Sequence, residues 1–244
     1  AILADMRGTT YKVDSIKLGK RRRNSSAPFI TSTMQQDASR KLGFTARKTM
    51  AIAQQLYEGV ELDGEGTQGL ITYMRTDSTN ISDIAMNEVR EYIVKRYGED
   101  YLPKEPPEYK TRTQSAQEAH EAVRPTSVLR SPKAIKKYLT RDQYRLYQLI
   151  WQRFVASQMM PAVYDTLSVE VLGDGKESEY TLRASGSQLE FPGFLIVYEE
   201  GKDEDQEEEE EADSDTIPID DIKENQTQRS EERRVGKECI VKCR

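Results

Sequence analysis

A chain of 244 residues has room for one large or two small domains, and a hydrophobic share of 36% is low enough that part of it forms no core. Residues 199–244 hold 18 acidic and 8 basic side chains, a net of −10, which leaves +4 on residues 1–198 against −6 overall, so the part with a core suits a polyanionic partner. The only cysteines, Cys239 and Cys243, lack the companions of a disulfide framework or a zinc site, no apolar run nears the roughly 18 residues of a membrane span, and the start has no signal-peptide pattern; the expected setting is cytoplasmic, away from membranes.

The chain opens at Ala1-Ile2-Leu3-Ala4-Asp5-Met6 without an initiator methionine, which reads as a fragment. Tyr11 to Leu18 alternates Tyr11, Val13, Ser15 and Lys17 against Lys12, Asp14, Ile16 and Leu18, the period of a strand. Lys17, Lys20, Arg21, Arg22 and Arg23 then form a basic turn, either solvated surface or a track for a phosphate backbone. Thr31-Ser32-Thr33 offers helix N-caps, with Thr33-x-x-Gln36 or Ser32-x-x-Gln35 in capping-box form, and Gly43 is the natural left-handed stop. Thr45 caps the next helix, which sets Met50, Ala53, Leu56 and Tyr57 on one face and ends at Gly59. Helix, turn and helix have the form of a DNA reader and equally of plain packing. Residues 61–69, rich in glycine and acid, are expected to be a mobile loop, a plain turn rather than a cation site because calcium-loop spacing is missing.

Ser82 caps a helix to about Tyr97, Gly98 closes it, and residues 101–110, with three prolines, form a loop. Ser115-x-x-Glu118 starts a short helix that carries the single histidine, His120, and ends near Arg124-Pro125, because the residue before proline avoids the helical region. Ser131-Pro132 opens another short helix to Leu139. Thr140-x-x-Gln143 opens the longest, ending before Pro161, on which Tyr144, Tyr147, Trp151, Phe154 and Gln158 fall at helical period as a packing face rather than a base-stacking platform. Val163 to Val171, Tyr180 to Ser185 and Phe194 to Glu199 read as strands, with Ser185-Gly186-Ser187 and Phe191-Pro192-Gly193 as turns. Strands flanking helices make an α+β fold, a mainly helical domain inserted into a β segment. From Glu200 to Ile222 the chain is acid-rich, including Glu207 to Glu211, and is expected to be an unfolded linker; residues 229–244 fit nothing upstream and read as non-native.

Between these elements lies Gly69-Leu70-Ile71-Thr72-Tyr73-Met74-Arg75-Thr76-Asp77-Ser78. If it is extended, residues two apart share a face at roughly 6.5 Å spacing, so Tyr73, Arg75 and Asp77 point one way. A phenol with an ordinary pKa of about 10 is about one part in a thousand ionised near neutrality and needs a cation to become a nucleophile. Arg75 can serve there, and its bidentate fork can also neutralise an attacked phosphate. The plain alternative is a tyrosine and an arginine on the wet face of an edge strand.

The longer string Ile71-Thr72-Tyr73-Met74-Arg75-Thr76-Asp77-Ser78 resembles the active-site segment of type IA DNA topoisomerases, and three further blocks follow that family's order. They run from Pro28 to Gln36, from Gln117 to Pro125 and from Leu146 to Phe154, and the likeness extends from about Pro28 to about Tyr198. It implies a DNA topoisomerase that relaxes negatively supercoiled DNA by transient cleavage of one strand, mainly single-stranded DNA being the partner and the protein a monomer. Tyr73 would be the nucleophile, Arg75 the stabiliser of the phosphate charge, and His120, Arg124, Asp77 and Ser78 the DNA contacts. Mg2+ is the implied cofactor, held with a catalytic glutamate and a lysine by an acidic domain preceding this region, so the chain is read as carrying the nucleophile without those partners and as unable to relax supercoils alone. The implied domains are 1–27, a β segment of the central arch; 28–160, the helical domain with the tyrosine; 161–199, the returning β segment; and 200–244, the acidic linker and non-native tail. A non-catalytic single-stranded nucleic-acid binding module with a structural tyrosine, and a helical protein-interaction domain, are the alternatives from other classes.

Overall fold

The computed structural model describes residues 5–6, 9–109, 120–175, 178–198 and 227–229. Helices and sheet occur together, and the described residues divide into two units, one of 5–23, 163–191 and 227–229, the other of 24–162 and 192–198. The capping box expected at Ser115, the acid-rich run and most of the C-terminal tail lie outside the described residues.

The first unit is a sheet. Strand β1 (Thr10–Arg23) is longer than the alternation alone predicts, and the expected basic turn is its second half. The strand continues because its charges find cross-strand partners: Lys20 Nζ lies 2.5 Å from Glu190 and 3.6 Å from Asp165. Strands β4 (Ala162–Asp174) and β5 (Glu179–Phe191) run antiparallel, and the short β6 (Thr227–Arg229) completes the order β5-β4-β1-β6. Ser185-Gly186-Ser187 is strand instead of the expected turn, paired with Ser168, Leu167 and Thr166. Local turn propensity loses here to a continuous ladder.

The second unit is mainly helical. Helix α1 (Thr31–Leu42) ends at Gly43 in the left-handed conformation (φ 68°), as expected. Its N-cap is Ile30, one residue before the predicted caps; Thr33 accepts the Ile30 N–H at 3.1 Å, and the Thr31 hydroxyl is used outside the helix. Helix α2 (Ala46–Glu58) starts at Thr45, whose hydroxyl accepts the Lys48 N–H, and it buries Thr49, Ile52, Ala53 and Leu56. The expected mobile loop after it is a small hairpin, β2 (Val60–Leu62) and β3 (Gly66–Gln68). Its acids are all engaged: Glu61 by Thr67, Asp63 by Lys137 and Tyr138, and Glu65 by Arg130.

Helix α3 (Asp83–Tyr97) keeps the predicted boundaries; the short α4 (Pro132–Ile135) starts where expected but gives way to a 3-10 turn at Lys136–Tyr138 before Leu139, and α5 (Arg141–Ser157) starts after the expected cap and stops three residues short of the expected end before Pro161. At α5 the capping box is complete: the Thr140 hydroxyl accepts the Gln143 N–H at 3.3 Å, and the Gln143 side-chain oxygen accepts the Thr140 N–H at 2.9 Å. The predicted aromatic face is buried: Tyr147, Trp151 and Phe154 are at most 5% exposed. Polar edges on this face find carbonyls, Tyr147 OH on Arg130, Trp151 Nε1 on Val128 and Arg153 Nε on Ala27, so the helix is tied to the loops before it as well as packed against them. The strand expected at Phe194 is instead a 3-10 turn, Gly193–Ile196. A side chain at Gly193 (φ 48°) would meet the Met160 and Pro161 carbonyl oxygens at 2.4 Å, and Phe194 is wholly buried, so packing rather than a ladder holds this stretch.

Candidate active site around Tyr73

Residues 69–78 form no strand, yet side chains alternate along them. Tyr73, Arg75 and Asp77 are exposed, whereas Met74, Thr76 and Ser78 are buried. An isolated extended segment cannot hold such a pattern, because each ordered residue costs about 1–2 kcal/mol of backbone entropy. Neighbouring segments supply the missing ladder.

Residues 120–126 flank one side. Ile71 bridges Pro125; Thr72 N–H reaches the Arg124 carbonyl at 2.9 Å, and Thr126 N–H reaches that of Leu70 at 3.0 Å. The Thr72 hydroxyl donates to the Ala122 carbonyl at 2.6 Å and accepts the Arg124 N–H at 3.0 Å. On the other side stands the start of α1. Thr31 N–H bonds the Thr76 carbonyl at 2.9 Å, while the Thr31 hydroxyl donates to the Met74 carbonyl at 2.7 Å and accepts Thr76 N–H at 2.9 Å. Val123 N–H closes the set on the Phe29 carbonyl at 2.8 Å. Three stretches distant in sequence are thereby woven together, with Phe29, Leu70, Ile71, Met74 and Val123 nearly wholly buried beneath. Burial of each such side chain stabilises by roughly 1.5–3 kcal/mol.

The end of α2 comes equally close. Leu70 N–H bonds the Leu56 carbonyl at 2.8 Å, and a Cβ at Gly69 would stand 2.8 Å from the Tyr57 carbonyl oxygen. The Tyr57 ring meets that of Tyr73 edge to face, centroids 5.4 Å apart, and both remain open to solvent at 42% and 48%. Tyr57 was expected on the packing face of its helix; it lies instead beside the candidate nucleophile. Threonines 31, 72 and 76 were also passed over, although all lie within the blocks that carry the resemblance.

His120 is exposed, and residues 120–125 are extended rather than the end of a helix, since their backbone groups serve the ladder with residues 70–80. Two of the expected DNA contacts are withdrawn from solvent. Ser78 is fully buried and its hydroxyl accepts the Asn80 N–H at 3.1 Å. Arg124 is 8% exposed, its guanidinium bonded to Glu121 at 2.6 Å, to Ser82 at 3.3 Å and to the Pro125 carbonyl at 2.9 Å. It braces the fold from inside. Burial alone would raise the Glu121 carboxyl; the Ser82 hydroxyl, the Arg124 charge and hydrogen bond, and the Ser82 N–H outweigh it and hold the group below its ordinary value.

No group of three or more histidine, cysteine, aspartate or glutamate side chains that could hold a metal comes together among the described residues. The string Asp203-Glu204-Asp205-Gln206-Glu207 has Asp-x-Asp-x-Glu spacing but belongs to the acid-rich run outside them.

An exposed tyrosine and, two residues on, an exposed arginine stand on a segment held from both sides, and the comparisons give the chain a family. Residues 1–242 match the model of a DNA topoisomerase family, and the chain belongs to that family. It is 55% identical over 184 residues to DNA topoisomerase 1 of Xylella fastidiosa strains Temecula1 and 9a5c, an alignment that takes in 75% of this chain and 22% of each relative. The full-length topoisomerase I from Thermotoga maritima, solved in a monoclinic crystal form, superposes with a TM-score of 0.71 at 36% identity over 93% of this chain and 34% of that one. The chain thus spans about a fifth of the length of the curated relatives it matches.

Proposed function

We propose that this chain is the nucleophile-bearing part of a type IA DNA topoisomerase that relaxes negatively supercoiled DNA. The Tyr73 oxygen attacks a backbone phosphodiester of single-stranded DNA, forming an O–P bond and breaking the bond to the 3′-oxygen, which takes up the phenol's proton. A 5′-phosphotyrosine and a free 3′-hydroxyl result; a second strand passes and the hydroxyl reverses the step. One phosphodiester is exchanged for another, so no external energy source enters. Arg75, exposed two residues on, stabilises charge on the pentacoordinate phosphorus, a contact whose loss typically costs about 3 kcal/mol of barrier. His120 and Asp77, both exposed, border the strand; Arg124 is a positioning residue acting through Glu121 and the 120–126 ladder.

The observation that supports this reading above all is the alternation of exposed Tyr73 and Arg75 with buried Met74 and Thr76 on a segment stapled from both sides. The wider arrangement in this reading is a helical domain of residues 28–160 inserted between arch segments 1–27 and 161–199, in a cytoplasmic monomer. No helix among the described residues is long and apolar enough to cross a membrane. The family's magnesium does not fit the described residues, and no step here runs through it.

The test is covalent trapping on a suicide single-stranded oligonucleotide, in the longer protein that carries the acidic domain. Tyr73→Phe should abolish the adduct and leave DNA affinity unchanged, and Arg75→Ala should slow adduct formation by about two orders of magnitude. An adduct that persists in Tyr73→Phe would return the tyrosine to a structural role within a binding module.

A further inference from the structure

The basic second half of β1 lies beside a group of hydroxyls in the sheet of the first unit. In the ladder of β4 with β5, Thr166 pairs with Ser187 and Ser168 with Ser185, so four hydroxyls form a square on one face of the sheet. The neighbouring strand, β1, leaves that square uncovered. A side chain at Gly19 would point at it, its Cβ standing 3.1 Å from Thr166 Oγ1, and glycine supplies none. Positions two residues to either side share the face of Gly19, which puts Lys17 and Arg21 at opposite rims. Two contacts fix this assignment independently: Arg21 lies over the Tyr164 ring at 5.1 Å, and Ser15 bonds Glu170 at 3.4 Å, each pair continuing the same rows. The result is a depression of about 340 Å³ with hydroxyls on its floor and a cation at either end. The one acid in the adjacent row, Glu170, is paired with Arg183 at 2.9 Å.

We propose that this face of the β1-β4-β5 sheet binds the phosphate backbone of duplex DNA, independently of sequence. Hydroxyls and cations are what phosphate oxygens take, whereas base recognition from a single strand calls for exposed stacking aromatics, and the one aromatic in these rows, Tyr164, lies under Arg21. Spacing agrees with a duplex. Lys17 and Arg21 are four strand residues apart, roughly 13 Å, about four phosphate steps along the axis of one DNA strand. β1 as a whole carries Lys12, Lys17, Lys20, Arg21, Arg22 and Arg23 against Asp14 alone, an electrostatic complement to a polyanion. The inference rests on the reading of the chain as part of a DNA-transacting enzyme, and its test is separable from that reading.

The experiment measures binding of the 244-residue chain to a blunt, fully paired duplex, with affinity followed against salt concentration. Lys17→Gln should lower the slope of log affinity against log salt by about 0.9 and weaken binding several-fold near 0.1 M salt; Lys17→Arg should restore both. Ser168→Ala with Ser185→Ala should weaken binding and leave the slope intact, because hydroxyls release no counterions. Circular dichroism and the thermal midpoint show whether each variant is folded. A wild-type chain that does not bind the duplex, an unchanged slope in folded Lys17→Gln, or full affinity in the folded double serine variant would overturn the proposal. Adduct formation at Tyr73 on a single-stranded oligonucleotide is scored separately, in the longer protein that carries the acidic domain: its absence there sinks the cleavage reading, and an intact adduct with an unchanged duplex slope sinks only this one.

Discussion

Thr72, like Thr31 on the other side, shapes the site through one hydroxyl that serves both as donor, here to the Ala122 carbonyl, and as acceptor, here of the Arg124 N–H. Thr72→Val keeps the shape and strands both backbone groups. A buried polar group left unsatisfied costs about 1–3 kcal/mol, so the urea midpoint should fall accordingly, with slower adduct formation at unchanged DNA affinity. A midpoint equal to wild type would mean that water replaces the threonine. Glu121 gives a pH signature. Its carboxyl is held below its ordinary value of 4.5 in the folded chain, so its stabilising contribution is complete above that value and is lost as pH falls through the lower, folded one. Glu121→Gln should therefore be less stable than wild type near neutrality, where it leaves the Arg124 charge buried without its partner, and the gap should narrow as the pH drops below about 4.5. Thermal melts of both proteins between about pH 3 and pH 7 check the sign.

At the scale of elements, the end of α2 and the start of the Tyr73 segment act as one piece. Gly69→Ala places a methyl 2.8 Å from the Tyr57 carbonyl oxygen, a backbone atom that cannot rotate aside. The two stretches must separate, with a typical overpacking loss of about 1–3 kcal/mol visible in the thermal midpoint and with loosened edge contact between Tyr57 and Tyr73. Helix boundaries were legible in the sequence because caps are local: Thr45, Gly43, Gly59, Ser82 and the Thr140–Gln143 box all mark ends that the structure keeps. Elements held by distant partners were not. The basic half of β1 and Ser185-Gly186-Ser187 look like turns until cross-strand pairing is known, and the extended run 120–125 owes its form to Thr72, some 50 residues away. Side-chain alternation at Tyr73 could be read from spacing alone, whereas the burial of Ser78 and Arg124 could not, since it depends on which face the flanking segments cover.

For the whole molecule, charge is divided along the chain more sharply than its net of −6 conveys, with +4 on residues 1–198 and −10 on residues 199–244. Nucleic-acid binding depends on the summed field as well as on contacts, so the acids of the last stretch should oppose any polyanion that approaches the rest. Replacing Glu207 to Glu211 by glutamine removes five negative charges without shortening the chain. Affinity for a single-stranded oligonucleotide should rise at about 20 mM salt, where the screening length exceeds roughly 20 Å, and the gain should fade toward 1 M, where that length is about 3 Å. Filter binding or fluorescence anisotropy across that salt range measures the difference. Equal affinities at low salt would show that these acids are too far from the bound strand to repel it, leaving affinity to local groups such as Arg75, His120 and the cations of β1.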